Sequence, residues 1–274
     1  MILKSANELK PSSEPFEGPK SCIVASRVRL AESRTETSTN ICSASAPDAV
    51  VCFAMPPSRT CDISAVQAQS ALGDIDETCE MAKEFGVAAV FCLPAHVEYM
   101  RERLGTGTGV KLASVSGFPG GAETTRIKVE TAKELVDLGC DEVDMVNNIA
   151  WLKAGDEKAY KNDVASVVAA AQGRPVKVIL ECHWLTDEEI VRGARWCADA
   201  GASWVKTGTG WAPTGATVER CALMKQAVCD RCGVKAAGGV RTLATLLDMY
   251  AVGTRRFGIG VKTARAILEE AACA

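Results

Sequence analysis

The sequence predicts an α/β fold, specifically a (β/α)8 barrel of the TIM type with an irregular N-terminal extension. From about Thr60 onward, short β-branched runs alternate with longer amphipathic segments, and eight such units can be counted. The turn after the first strand lacks the G-x-G-x-x-G pattern of a dinucleotide-binding sheet. A doubly wound open sheet is the alternative.

The eight predicted strands are short and almost continuously apolar, which is typical of parallel strands buried on both faces. The first of them has the weakest pattern. They occupy residues 61–63, 87–92, 111–115, 142–146, 176–181, 204–206, 234–236 and 256–259.

The segments between the strands have the 3.6-residue period of helices, and several begin or end at recognisable caps. Thr186 and Glu189 form a capping box, and Gly201 follows the same helix. The helix after the last strand is expected to be shortened. The main predicted helices occupy residues 74–85, 124–138, 157–171, 186–200, 217–229 and 242–252.

The beginning of the chain differs from the rest, because Ser, Thr, Pro and Glu are mixed there without a sustained period. We interpret it as an extension that partly wraps the barrel, with a disordered arm as the alternative. The predicted domains are therefore the extension, residues 1–55, and the barrel, residues 56–274.

Composition and charge narrow the class of protein. The 274 residues are 47% hydrophobic and 24% charged, as in ordinary globular proteins. The net charge of -3 gives no reason to expect nucleic acid or an anionic membrane as a partner. No apolar run approaches the roughly 18–20 residues that span a bilayer. The N-terminus turns polar at once, so we expect a cytoplasmic protein.

Cysteines are numerous, but their pattern does not indicate a metal site. The 13 cysteines are odd in number and scattered from Cys22 to Cys273, mostly in apolar patterns where cysteine acts as a small hydrophobe. Cys229 and Cys232 form a lone C-x-x-C near a helix end, and the two histidines are far apart in sequence. We predict reduced cysteines, no metal and no cofactor.

Two lysines at strand ends are the most informative residues of the chain. Lys206 ends the sixth predicted strand and Lys235 lies on the seventh, each before a glycine-rich turn. Burying an ammonium group is costly, and two at one rim destabilise each other's charged form. A neutral lysine amine attacks carbonyl carbon. Asp144, two strands away, is placed to relay protons, so the pattern predicts imine chemistry at these three catalytic residues.

Each of these features also has a purely structural interpretation. A single strand-end Asp or Lys more often forms a structural ion pair, but three converging on one rim favour an active site. Gly238 and Gly239 form either a tight turn or, with the following helix N-terminus, an anion site. Trp211 is either a wall of the substrate pocket or part of the loop packing.

The ordered motifs of the chain resemble the deoxyribose-phosphate aldolase family from about Asp62 to Gly258. The segments that carry the resemblance include Gly-Phe-Pro-Gly-Gly at 117–121, Val-Lys-Thr-Gly-Thr-Gly at 205–210 and Val-Lys-Ala-Ala-Gly-Gly-Val-Arg-Thr at 234–242. The resemblance implies a class I aldolase that needs no metal. It would reversibly cleave 2-deoxy-D-ribose 5-phosphate to acetaldehyde and glyceraldehyde 3-phosphate.

The resemblance also implies roles for individual residues. Lys206 would form the Schiff base, Lys235 would destabilise its protonated amine, and Asp144 with a water would act as acid and base. The substrate would be a small sugar phosphate bound by an enzyme that often forms homo-oligomers. Residues expected to bind it are Asp62, Cys92, Thr209, Gly210, Gly238, Gly239 and Gly258.

Several positions depart from the family's pattern. Gly260 and Val261 stand where serines often hold the substrate phosphate, and Trp211 stands where some members have a lysine. The segment 181–184 differs from a commoner glycine-containing loop, and the chain lacks a terminal tyrosine. A related class I aldolase with another acceptor aldehyde, or a non-catalytic barrel scaffold, are therefore the alternatives.

Overall fold

The computed structural model describes residues 57–273, which form a closed barrel of eight parallel strands arranged in sequence order. This confirms the predicted barrel and excludes the open sheet, because β1 pairs with β8 as well as with β2. The strands are β1 Cys61–Ala65, β2 Ala89–Cys92, β3 Lys111–Ser116, β4 Glu142–Val146, β5 Val176–Ile179, β6 Trp204–Lys206, β7 Gly233–Ala237 and β8 Arg256–Gly260.

The two faces of the strands differ in chemistry. Outward side chains such as Ile63, Val143 and Val234 pack with apolar residues of the helices in one continuous core. Inward positions carry Ala89 and Phe91 on one side of the barrel and buried charged residues on the other. Because side chains alternate along a strand, each strand supplies both layers. The barrel interior therefore contains charges that the helices shield from solvent.

The helices surround the barrel and begin at the caps that the sequence predicts. Thr186 accepts a hydrogen bond from the Glu189 N–H, and the Glu189 carboxylate accepts one from the Thr186 N–H at 2.9 Å. The helices are α1 Leu72–Phe85, α2 Val97–Leu104, α3 Thr125–Asp137, α4 Ile149–Ala154, α5 Glu157–Ala170, α6 Asp187–Asp199, α7 Val218–Val228, α8 Leu243–Ala251 and α9 Val261–Cys273.

The prediction of a shortened final helix is wrong. Helix α9 has 13 residues, and its apolar side chains recur every three or four positions. Val261, Ala264, Ile267 and Leu268 are all buried on that stripe. The stripe gives the helix a packing face against the outside of the barrel, so it continues as far as the others.

The predicted N-terminal extension, residues 1–55, lies outside the described residues, so its boundary stays a prediction. In the part of the chain that is described, no helix is long and apolar enough to cross a membrane.

Candidate active site

A cavity of about 180 Å³ opens at the carboxyl end of the strands. Strand ends and the loops that follow them line it, as expected for the chemically active rim of this fold. It contains most of the residues that the sequence predicts as a site. These are Asp62, Lys206, Thr209, Gly210, Lys235, Gly238, Gly239 and Gly258.

Asp144 does not itself line this cavity, but it contacts the two predicted lysines, which do. The Asp144 Oδ2 atom accepts hydrogen bonds from Lys206 Nζ at 2.8 Å and Lys235 Nζ at 3.1 Å. Lys206 and Lys235 are paired in register on adjacent strands, so their side chains leave the sheet side by side. Asp144 is completely buried, whereas Lys206 retains 9% of its side-chain exposure. Both lysines line the cavity, but Lys206 is the more exposed of the two and so the more accessible to a ligand.

A third lysine also contacts Asp144. Lys177 is paired with Asp144 in register, and its Nζ lies 3.1 Å from Asp144 Oδ1. Lys177 also donates a hydrogen bond to Glu142 Oε2 at 2.5 Å. Each oxygen of Asp144 therefore faces ammonium groups.

The charge network continues to the other side of the barrel. Asp62 Oδ2 lies 2.8 Å from Lys235 Nζ, and Asp62 Oδ1 accepts a hydrogen bond from Arg256 Nε at 3.0 Å. Arg256 also donates to Glu142 Oε2 at 2.9 Å. These contacts form one group of buried side chains. Its cations are Lys177, Lys206, Lys235 and Arg256, and its carboxylates are Asp62, Glu142 and Asp144.

The group holds one more cation than carboxylates. The pKa shifts of its lysines show which of them gives up its proton more readily. Burial disfavours the charged form of Lys235, and with Lys206 and Lys177 nearby its pKa falls to about 8 although Asp144 and Asp62 oppose this. Burial also opposes protonation of Lys177, but the carboxylates around it raise its pKa. Lys177 therefore stays charged, while Lys235 loses its proton around pH 8.

Two carboxylates of the network, Asp144 and Glu142, are ionised. Burial by itself would raise the pKa of Asp144, but Lys177, Lys206 and Lys235 together hold it well below its ordinary value. Burial likewise opposes ionisation of Glu142, but Lys177 and Arg256 lower its pKa to about 2. Asp144 is therefore a strong hydrogen-bond acceptor between the lysines.

An aromatic ring completes the floor of the cavity. The Phe91 ring centroid lies 4.0 Å from Lys235 Nζ, 5.0 Å from Lys177 Nζ and 5.7 Å from Lys206 Nζ. The face of an aromatic ring attracts cations, so Phe91 stabilises the lysine cluster without supplying a proton acceptor.

Comparison with known proteins assigns the chain to a family. Residues 59–270, which include nearly all of the barrel, match the model of the DeoC/LacD family aldolases. The chain belongs to this family. It is 41% identical over 215 residues to a deoxyribose-phosphate aldolase of Klebsiella pneumoniae, covering 77% of this chain and 86% of that protein. It is 46% identical over 197 residues to one of Thermococcus kodakarensis, covering 69% and 87%.

Solved structures agree with this assignment. An aldolase named QR15 superposes with a TM-score of 0.73 at 32% identity, covering 78% of this chain and 94% of its own. A deoxyribose phosphate aldolase of Aeropyrum pernix, described as a unique tetrameric structure, gives a TM-score of 0.71 at 25% identity, covering 80% and 92%.

Two glycine-containing loops of this chain, one after β6 and one after β7, meet at one end of the cavity. Gly238 and Gly239 have positive φ values of 73° and 131°, and Thr242 caps helix α8 shortly after them. The Ala216 N–H donates to the Gly238 carbonyl at 2.7 Å. A Cβ atom on Gly215 would lie 1.6 Å from that carbonyl oxygen, so only glycine permits the two loops to dock.

The structure places two predicted site residues, Cys92 and Gly258, differently from each other. Cys92 does not line the cavity, so the prediction that it binds substrate is wrong. It follows the inward-facing Phe91 and therefore points outward, where it packs in the core between strands and helices. Gly258 lines the cavity, and a Cβ there would lie 3.4 Å from Lys235 Cε. Its closest neighbour would be Ala237 Cβ, at 3.0 Å, so the glycine mainly permits close packing against β7.

Sequence reasoning missed four residues of this site, namely Phe91, Glu142, Lys177 and Arg256. A signal for them was present, because each lies within a predicted strand. The three charged residues are in otherwise apolar runs, and Glu142 lies two positions before Asp144 and so faces the same side of its strand. Residue parity along the strands would have placed them inside the barrel.

The cysteines of the described residues are unpaired and mostly buried. All ten cysteines within residues 57–273 are free, and eight of them are buried. Burial raises the pKa of thiols such as Cys61 and Cys182 to about 12, which makes them poor nucleophiles. The same part of the chain has no group of three or more His, Cys, Asp and Glu side chains that could hold a metal ion.

Proposed function

We propose that this protein is a class I aldolase that reversibly cleaves 2-deoxy-D-ribose 5-phosphate into acetaldehyde and glyceraldehyde 3-phosphate. The observation that carries the proposal is the contact of Asp144 with both Lys206 and Lys235 at the floor of the cavity. The names of the relatives in Klebsiella and Thermococcus support the choice of substrate.

Lys206 is the nucleophile in this proposal because it reaches the cavity and lies beside an acid-base pair. Its neutral amine attacks the aldehyde carbon, and loss of water from the carbinolamine gives a protonated imine. The imine accepts the electron pair of the breaking C2–C3 bond while the 3-hydroxyl loses its proton. Glyceraldehyde 3-phosphate leaves, and the remaining enamine is protonated and hydrolysed to acetaldehyde and free Lys206.

Asp144 and Lys235 move the protons for these steps. Asp144 bridges the two amines, so a proton released by one nitrogen has an acceptor path to the other. Lys235, with its pKa near 8, can exchange a proton at neutral pH. Lys177 and Arg256 remain charged and keep Glu142 ionised.

The phosphate is proposed to bind at the end of the cavity formed by Gly238, Gly239 and Arg241. All three line the cavity, and Arg241 forms no ion pair with any residue in the described part of the chain. Backbone N–H groups in a glycine turn before a helix, together with a guanidinium group, suit a phosphate. Gly260 supplies no hydroxyl there, so these groups must carry most of the binding.

The substrate assignment is tested by comparing phosphorylated with free 2-deoxyribose. We expect kcat/KM to be at least about a hundredfold higher for the phosphate ester, because charged hydrogen bonds contribute roughly 1.5–3 kcal/mol each. Arg241→Gln should reduce this preference, whereas Arg195→Gln, on helix α6, should leave it unchanged. Equal turnover of both sugars would instead favour a related aldolase with a different acceptor aldehyde. The missing hydroxyl at Gly260 is the observation that suggests this alternative.

The pH dependence of imine formation is expected to follow Lys235. The rate of imine formation is measured by borohydride trapping at a low acetaldehyde concentration. It should rise about tenfold per pH unit and level off above about pH 8, where Lys235 loses its proton. In Lys235→Met the titrating group is absent, so the rate should no longer level off near pH 8. Lys133→Met, an exposed change on helix α3, should keep the original profile. A rate independent of pH between 6 and 9 would contradict this role.

We further propose that the protein is a homo-oligomer located in the cytoplasm. The tetrameric relative from Aeropyrum pernix supports the first point, and light scattering after size-exclusion chromatography tests it. The ten free cysteines are as expected in a reducing compartment, and fractionation of cells that produce the protein tests the location.

A further inference from the structure

A buried carboxylate lies beneath the loop that follows Lys206. Glu181 lies two residues after the end of β5, is 4% exposed, and does not line the cavity. Its φ of 57° is in the left-handed region, which favours glycine and is uncommon for a residue with a long side chain. The backbone at Glu181 is therefore in a conformation that costs free energy for any residue other than glycine.

The carboxylate of Glu181 binds one residue of the loop twice. Its Oε2 atom accepts hydrogen bonds from the backbone N–H of Thr209 at 3.2 Å and from the Thr209 hydroxyl. The Thr209 oxygen in turn accepts a hydrogen bond from the Trp211 N–H at 3.0 Å. The Thr209 hydroxyl therefore joins Glu181 to the loop, because it donates to the carboxylate and accepts from Trp211.

Gly208 makes room for this carboxylate. A Cβ atom at that position would lie 2.8 Å from Glu181 Oε1, closer than a side chain normally approaches. Oε1 is buried and has no hydrogen-bond partner in the described part of the chain. The cost of burying this oxygen is therefore offset only through Oε2, whose bonds to Thr209 are strengthened by the negative charge.

The loop carries this restraint to the rim of the cavity. Trp211 Nε1 donates a hydrogen bond to the Val66 carbonyl at 2.9 Å, and its indole meets the Phe118 ring edge to face at 5.7 Å. Val66 and Phe118 both line the cavity. Contacts thus run from Glu181 through Thr209 to Trp211, and from there to the loops after β1 and β3.

We propose that Glu181 is a positioning residue that sets how tightly the substrate is held, by fixing the loop from Lys206 to Trp211 at the cavity rim. This inference rests on the proposed aldolase function. Glu181 forms no hydrogen bond or ion pair with Asp144, Lys206 or Lys235, so its loss leaves the proton-transferring groups in place. The effect therefore belongs in KM, whereas a purely structural role would lower the fraction of active protein and hence kcat.

Glu181→Gln tests the proposal with little change in shape. The amide still fills the site but replaces charge-assisted bonds by neutral ones, so KM for 2-deoxyribose 5-phosphate should rise about fivefold with kcat within twofold. Trapping of acetaldehyde on Lys206 by borohydride should proceed at the wild-type rate. Glu181→Leu, which cannot accept any bond, should raise KM further than Glu181→Gln does.

A second measurement does not depend on activity. The emission of Trp211 is isolated by subtracting the spectrum of Trp211→Phe, and its quenching by acrylamide should increase in Glu181→Gln. Glu189→Gln, which removes a carboxylate from the capping box of helix α6, should leave both KM and quenching unchanged. An unaltered KM or unaltered quenching in folded Glu181→Gln overturns the proposal. Failure of wild-type protein to trap acetaldehyde would instead refute the aldolase function, with the quenching result unaffected.

Discussion

Replacement of Lys206 by alanine is expected to abolish covalent trapping of acetaldehyde and to lower kcat by on the order of 10⁴-fold or more. Without this amine no imine forms, and the breaking carbon–carbon bond has no electron sink. Incubation with acetaldehyde and borohydride, followed by peptide mass spectrometry, should find an ethyl adduct on Lys206 in the wild type and none in the variant.

The Lys206 experiment has an internal control for folding. Removing Lys206 leaves three cations and three carboxylates in the buried group, so the variant should be at least as stable as the wild type. Lys133→Ala, on the exposed face of helix α3, should trap acetaldehyde normally. An adduct that persists on Lys235 in Lys206→Ala would transfer the nucleophilic role to that residue. No adduct on any lysine of folded wild-type protein would refute the imine mechanism.

Asp144→Asn is expected to damage both stability and catalysis. The carboxylate contacts Lys177, Lys206 and Lys235, so its neutralisation leaves four buried cations with two carboxylates. Loss of one partner of a buried ion pair costs about 3–5 kcal/mol in the free energy of unfolding. Loss of the acid-base group should lower kcat by roughly 10²–10⁴-fold. Urea denaturation and steady-state kinetics at pH 7 measure the two effects.

The stability loss in Asp144→Asn should shrink as the pH rises. With Asp144 neutral, the folded protein holds its lysine protons less tightly than the unfolded chain, so the folded state loses them first. Stability then increases with pH between the folded pKa, already about 8 for Lys235 in the wild type, and the ordinary value of 10.5. Asp137→Asn, an exposed change at the end of helix α3, should alter stability by less than about 0.5 kcal/mol at either pH. A deficit equal at pH 7 and pH 10 would contradict this electrostatic origin.

The sequence was most informative where local physics decides the outcome. Helix starts at Thr124, Thr186 and Thr242 were recognisable because a hydroxyl before an amphipathic run satisfies free N–H groups, and the structure has these caps. The number of strands followed from their apolar runs. The order of the barrel then follows from the rule that parallel neighbours are joined by right-handed crossovers. Lys206 and Lys235 were prominent because an ammonium at a buried strand end has few structural explanations.

Contacts between distant segments could not be found in this way. Lys177 and Arg256 lie 79 positions apart in the chain, yet both contact Glu142. No local sequence pattern indicates that these residues are close in space. Cys92 was wrongly assigned to the substrate site because the resemblance to the family takes no account of the face of β2 on which the residue lies. Glu181 looked only like a departure from a family loop, since its partner Thr209 comes from the next strand's loop.

The sequence by itself therefore determined the barrel and the pair of lysines on neighbouring strands, since both arise from periodicity and from the cost of burying charge. Only the tertiary structure decided how that charge is balanced. Closing the sheet brings Asp62 of β1 and Arg256 of β8 together with Asp144 and the three lysines. The burial and pairing of these groups, which depend on all eight strands at once, lower the pKa of Lys235 and keep Lys177 charged.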